Sequence, residues 1–99
     1  MEIKKVKDGE NVFLTLEGRL DTLTAPMLQE ALSEWMPVAS AIEMDFLKVE
    51  YVSSAGLRVL LLAEKNMKLS GKSMTLKNVS SEVMEVFDIT GFSGILDII

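Results

Sequence analysis

Apolar and polar residues alternate near the start of the chain. Val12, Leu14 and Leu16 fall on one side of an extended segment, and Phe13, Thr15 and Glu17 on the other. A period of two predicts a strand with one more buried face over residues 11–17, and a second strand precedes it over 2–7. Asp8-Gly9-Glu10 lies between them. Gly accepts the positive φ of a short turn, so the two strands are expected to form an antiparallel hairpin at one edge of a sheet. The period then lengthens. Leu28, Ala31, Leu32, Trp35 and Met36 recur at helical spacing and predict a helix over about 24–36. Thr24 is placed to cap it, Pro26 lies in the first turn where a missing N–H costs little, and Pro37 stops it. Trp35 sits on the apolar stripe and reads as core or rim packing rather than a stacking surface for a cofactor.

Ile42, Met44 and Phe46 alternate with Glu43 and Asp45 and predict a third strand over 41–46, after which Val49 to Val52 lead into a second helix over about 54–69. Gly56, Val59, Leu60, Ala63 and Met67 share one face of that helix, while Leu62 and Leu69 point elsewhere and leave some apolar surface. Gly71 ends it as a positive-φ position. Met74 and Leu76 mark a further strand. Ser80 or Ser81 caps a third helix, with Glu82 and Glu85 near its positive end and Val83, Val86 and Phe87 turned inward. Gly91 terminates it, and residues 95–99 close the chain as a strand or final turn. Strand and helix alternate after the opening hairpin. That order predicts a single α/β domain over residues 1–99: a mixed β-sheet opened by an antiparallel hairpin, with helices packed on it.

Composition narrows the function. The 48% hydrophobic fraction suits one buried core in a chain of 99 residues. No segment reaches the ~18 uninterrupted apolar residues of a membrane span, and no apolar signal region follows Met-Glu-Ile-Lys-Lys. Membrane insertion and export are therefore not expected. The chain has no Cys and no His. Thiol nucleophiles, thiolate metal sites, the commonest general base and the commonest transition-metal ligand all drop out, so no catalytic residue, metal or cofactor is assigned. The absence of Cys also fits a reducing cytoplasm. A net charge of −5 argues against nucleic acid, which calls for clustered Lys and Arg. Asp21 and Asp45 could suggest a carboxylate pair, but their positions suit solvation and capping equally well. Composition describes a domain that binds another protein.

The most informative stretch is Tyr51-Val52-Ser53-Ser54-Ala55-Gly56-Leu57-Arg58, in which an apolar strand runs into two hydroxyls and a helix runs out of them. It presents a hydroxyl with little steric cover beside the free N–H groups of a helix start. Ser53-Ser54-Ala55-Gly56-Leu57 resembles the Asp-Ser-Ser/Thr-Gly-Leu signature of the STAS domain, the fold of bacterial anti-sigma factor antagonists. Ser53 falls on the family Asp, Ser54 on the phosphorylated Ser, Ala55 on the second hydroxyl and Gly56 on the Gly. Glu17-Gly18-Arg19-Leu20-Asp21 resembles the family's Gly-x-Leu-Asp, and Leu76-Lys77-Asn78-Val79-Ser80 with Ile89-Thr90-Gly91-Phe92 resembles its last strand–helix unit. The resemblance implies a STAS-like domain acting as an anti-sigma factor antagonist, a binding module and not an enzyme. Its implied partners are an anti-sigma factor with serine/threonine kinase activity and a serine phosphatase. Phosphorylation is implied at Ser54, and partner binding at Gly18, Asp21, Thr22, Thr24, Ser53, Ser54, Ala55, Gly56 and Leu57. The alternative within the same fold is a STAS subunit of a lipid-transport complex or another bacterial signalling assembly. Gly56 is open to two readings: it admits an approaching partner, or it lets the helix start pack tightly on the sheet.

Overall fold

The structure is a computed structural model that describes all 99 residues. Strands β1 (Glu2–Asp8) and β2 (Asn11–Leu20) open the chain, followed by helix α1 (Ala25–Trp35) and strand β3 (Ala41–Val52). Helix α2 (Ser54–Leu69), strand β4 (Ser73–Lys77) and helix α3 (Ser81–Thr90) come next. A 3₁₀ turn over Phe92–Gly94 then leads to the short strand β5 (Asp97–Ile98). The five strands lie side by side in chain order. β1 pairs antiparallel with β2, with Glu2 opposite Glu17 and Asp8 opposite Asn11, and every later pairing is parallel.

Parallel neighbours joined by right-handed crossovers place α1, α2 and α3 on the same face of the sheet. Burial follows. Val12, Leu14 and Leu16 of β2, Ile42, Met44 and Phe46 of β3, and Met74 and Leu76 of β4 are sealed beneath the helices. Their alternates on the other face are exposed or half-exposed. Leu28 and Leu32 of α1, Val59, Leu60, Ala63 and Met67 of α2, and Val83 and Phe87 of α3 complete one contiguous core. Phe46 and Phe87 meet at 6.4 Å between ring centroids, tilted by 59°, and tie α3 to the centre of the sheet. Trp35 is half-buried at the rim, with Lys5 Nζ 4.1 Å from its ring centroid.

Three sequence expectations need correction. β3 is one continuous strand of 12 residues, where a strand ending at 46 and a separate approach over 49–52 were expected. Its register against β2 shifts twice, between Thr15 and Glu17 and between Gly18 and Arg19. Those bulges break the period of two without ending the pairing. At the second shift Gly18 adopts φ +112°, a conformation that favours glycine. Thr24 does not cap α1 with its side chain. Asp21 instead holds the turn that leads into the helix, because its Oδ1 accepts from the backbone N–H of Leu23 at 3.0 Å and of Thr24 at 3.1 Å. Finally, the buried face of α2 includes Leu57 and Glu64, and Glu64 is only 1% exposed.

Candidate functional site

The carboxyl ends of β2 and β3 lie next to each other, with Arg19 opposite Tyr51 and Leu20 opposite Val52. The backbone N–H of Ser53 donates to the Leu20 carbonyl at 2.8 Å and carries the pairing one residue past β3. α2 begins there. Ser53 has the extended backbone of an N-cap (φ −89°, ψ 174°), and its Oγ accepts from the Gly56 N–H at 3.4 Å. Ser54 follows as the first helical residue. It is exposed, and its hydroxyl makes no hydrogen bond within the chain.

Gly56 faces inward. A Cβ on it would lie 2.7 Å from Leu20 Cγ and 3.0 Å from the Leu20 carbonyl oxygen. Of the two readings of this glycine, tight packing of the helix start against β2 is therefore the one the geometry supports. Leu57, 7% exposed, lies in the same buried layer. Gly56 and Leu57 thus lie buried beneath the surface of the helix start. Ala55 is half-buried and packs against the core.

β2 ends through Gly18, Arg19 and Leu20 and continues into the loop from Asp21 to Thr24. Thr24 Oγ1 donates to the Arg19 carbonyl at 2.6 Å and accepts from the Asp21 N–H at 2.8 Å, so the loop closes on itself. Partial desolvation is the largest single influence on the Asp21 carboxyl and pushes it upward. The N–H groups of Thr24 and Leu23, the Thr24 hydroxyl and the Arg19 guanidinium together outweigh it and hold the group below its ordinary value. Arg19 sits 3.7 Å from Asp21 Oδ2, with its guanidinium carbon 4.4 Å from the centroid of the Tyr51 ring. Thr22 is exposed and Leu23 projects from the loop at 86% exposure. Asp45 belongs to a separate network: its Oδ1 accepts from Leu47 N–H at 2.9 Å and Asn78 Nδ2 at 3.1 Å. The Leu47 bond, then Asn78 and Lys77, hold it below its ordinary value against partial burial. Asp21 is thus a charged acceptor within its own loop, and Asp45 one that links β3 to the end of β4.

The structure seats the start of α2, with Ser53, Ser54 and Ala55, against Leu20 at the end of β2, and ties Asp21 and Thr24 into the loop that follows, where Thr22 is exposed. Gly18 lies further back along β2, opposite Val49. Sequence reasoning placed Arg19 and Leu23 in the approach from Gly18 to Thr24 but did not pair Arg19 with Tyr51. The Arg19–Tyr51 contact depends on the register shift at Gly18, which no local pattern reveals. Ser54 lies on open surface and lines none of the chain's concavities. A loop rigidified by its own hydrogen bonds, beside an uncommitted hydroxyl, suits docking by another protein.

Comparison with known proteins is consistent with this architecture. The family model described as Mlab, STAS domain, matches residues 3–97. The chain belongs to the STAS domain family. Within that family it is 34% identical over 94 residues to the anti-sigma-B factor antagonist of Bacillus subtilis (strain 168), covering 94% of this chain and 86% of the relative. The solved structure of the anti-sigma factor antagonist SpoIIAA in its unphosphorylated form superposes with a TM-score of 0.84 at 19% identity, covering 99% of this chain and 88% of the other. SpoIIAA of Bacillus in the phosphorylated form gives 0.78 at 18% identity, covering 99% and 91%. These two likenesses establish a shared fold. No helix of the chain is long and apolar enough to cross a membrane.

Proposed function

We propose that this STAS domain antagonises an anti-sigma factor through the surface around Ser54. Unphosphorylated, it binds an anti-sigma factor that is also a serine/threonine kinase, and a sigma factor is released. Phosphorylation of Ser54 ends that binding, and a serine phosphatase restores it. The domain is then a substrate and a binding module working in the cytoplasm, without catalytic machinery of its own. Gly18, Asp21, Thr22, Thr24, Ser53, Ser54 and Ala55 form the docking face, and Gly56 and Leu57 hold it from below.

One observation carries this reading: the two adjacent serines divide their labour. Ser53 spends its hydroxyl on the cap, which leaves Ser54 exposed and uncommitted at the first position of α2. A phosphate on Ser54 adds about −1.5 to −2 charge beside free N–H groups at the positive end of a helix, where the fold tolerates it. A partner packed closely on the same hydroxyl does not tolerate it, because a new dianion must be desolvated or opposed. The family Asp is replaced here by Ser53, which retains its capping capacity and removes a negative charge beside the phosphosite.

The test is calorimetric titration of Ser54→Asp and Ser54→Ala against the anti-sigma factor, with kinase labelling mapped by phosphopeptide mass spectrometry. Ser54→Asp is expected to bind roughly ten- to a hundredfold more weakly, from ~1–3 kcal/mol of uncompensated desolvation. Ser54→Ala stays within about tenfold of the parent. Equal affinities for the two variants would place Ser54 outside the interface. A second reading has one observation in its favour, that the matched family model is described by Mlab rather than by an antagonist. It makes the chain a STAS subunit of a lipid-transport complex or another assembly, and co-purification with such a complex instead of an anti-sigma factor would favour it.

A further inference from the structure

We infer that Arg58 is the intramolecular counter-ion for a phosphate on Ser54, an assignment that rests on the reading of Ser54 as the phosphosite. Ser54 and Arg58 are four residues apart on α2 and both are exposed. That spacing brings Cβ atoms to within about 5–6 Å on one helix face. Long helical side chains lean back over the preceding turn, so the reach of Arg58 covers Ser54. Its guanidinium is uncommitted. The three ion pairs of the chain are Arg19–Asp21, Lys68–Glu64 and Lys77–Glu43, and its two cation–ring contacts use Lys5 and Arg19. Arg19, the other cation at the site, is already held by Asp21 and Tyr51.

The start of α2 carries a cation and no acid. Its first turn contains no acidic residue, and Arg58 follows just beyond that turn. A dianion on Ser54 gives that cation an opposite charge one turn away, with no competing acid in the first turn. α3 supplies an internal contrast, since it also opens with two serines and its second, Ser81, is followed at the same four-residue spacing by Glu85, with Glu82 next to it. A phosphate on Ser81 meets two like charges; one on Ser54 meets a single free guanidinium. Arg58 therefore favours the modified state of Ser54 and covers part of the phosphate that a phosphatase must reach.

The experiment does not depend on the kinase. Phosphoserine is installed at position 54 by semisynthesis, and the second ionisation of the phosphate is followed by phosphorus NMR in the parent, Arg58→Gln and Arg19→Gln chains. Circular dichroism verifies that each is folded. Arg58→Gln is expected to raise that pKa by about 0.2–0.4 units at low salt, the size of an i,i+4 ion pair, with the difference shrinking in high salt. Arg19→Gln is expected to leave it in place. An unchanged pKa in Arg58→Gln, or an equal shift in Arg19→Gln, overturns the assignment. Kinase labelling at a residue other than Ser54 would overturn the phosphosite reading instead, and the semisynthetic titration would still report on Arg58.

Discussion

α2 and α3 begin alike. Ser53 Oγ accepts from the Gly56 N–H at 3.4 Å, and Ser80 Oγ accepts from the Val83 N–H at 3.2 Å. A second serine follows each cap, Ser54 or Ser81, and both are exposed. The next positions diverge. α3 continues with Glu82, an acid suited to the positive end of the helix, and then with Val83, which is 2% exposed and packs into the core. α2 continues with Ala55 and then Gly56, pressed against Leu20, and it places Arg58 where α3 has Glu85. α3 is what helix stability alone favours: a cap, an acid and a buried apolar anchor. α2 keeps the cap and omits the acid, and its third helical position is emptied so that the start can seat against β2. The features that α2 lacks for stability are the ones that leave Ser54 bare and beside a cation.

The largest expected effect concerns that third position. Gly56→Ala forces a methyl group against Leu20, whose side chain is fully buried and whose carbonyl is held by the Ser53 N–H. A loss of about 1–3 kcal/mol in urea unfolding is expected from overpacking. At the equivalent position of α3 the problem inverts: Val83→Ala removes buried methyls and costs roughly 1–2 kcal/mol through lost burial. Parent-like stability for Gly56→Ala would mean that the two helix starts are packed alike.

A second difference lies further along α2, which buries an acid whereas α3 buries only apolar side chains. Burial pushes the Glu64 carboxyl above its ordinary value of 4.5; Lys68 Nζ, 3.5 Å away, offsets this only in part, and Asp97 adds to the rise. Both carboxylate oxygens lack a hydrogen-bond donor. Because the folded state holds this proton more tightly than the unfolded chain, stability falls as pH rises from about 4.5 through the raised folded value. Asp21 and Asp45 act in the opposite sense and at lower pH, withdrawing stability as pH falls below their ordinary 3.8. Chemical unfolding of the parent and Glu64→Gln across pH 4 to 8 checks this, with Glu64→Gln expected to lose the decline. Identical profiles would show that Glu64 is solvated. At neutral pH, Glu64→Met is expected to gain roughly 1–2 kcal/mol, as for other buried ions replaced by apolar groups of similar volume.

The smallest effects test the division between paired serines. Ser53→Ala and Ser80→Ala each lose a cap and are expected to cost about 1 kcal/mol. Ser54→Ala and Ser81→Ala are expected to stay within about 0.5 kcal/mol of the parent, since neither hydroxyl supports the fold. Thermal melts giving Ser54→Ala the larger cost of its pair would reverse the roles of Ser53 and Ser54.

Sequence alone determined the elements. The alternation of Val12, Leu14 and Leu16, the helical stripe from Val59 to Met67, a serine cap on α3 at Ser80 or Ser81, Gly71 at positive φ and Gly91 as the end of α3 were all legible. These features arise from interactions within a few residues, which a linear pattern records. The order and spacing of its short motifs also pointed to the STAS family. Glu64 shows how hydropathy misleads: it continues the spacing of Leu57 and Leu60, yet a charged residue is not counted in an apolar stripe. What only the tertiary structure decided was which groups meet across elements. Leu20 against Gly56 settled why that glycine is small, and the Thr24 hydroxyl turned back to Arg19 and Asp21 instead of capping α1. Two bulges set Arg19 over Tyr51, and the hydrogen bond from Ser53 to Leu20 fixed which serine faces in and which faces out. Each depends on the register between β2 and β3 or on a loop folding back on itself, and residues about thirty positions apart carry no periodic mark of their pairing.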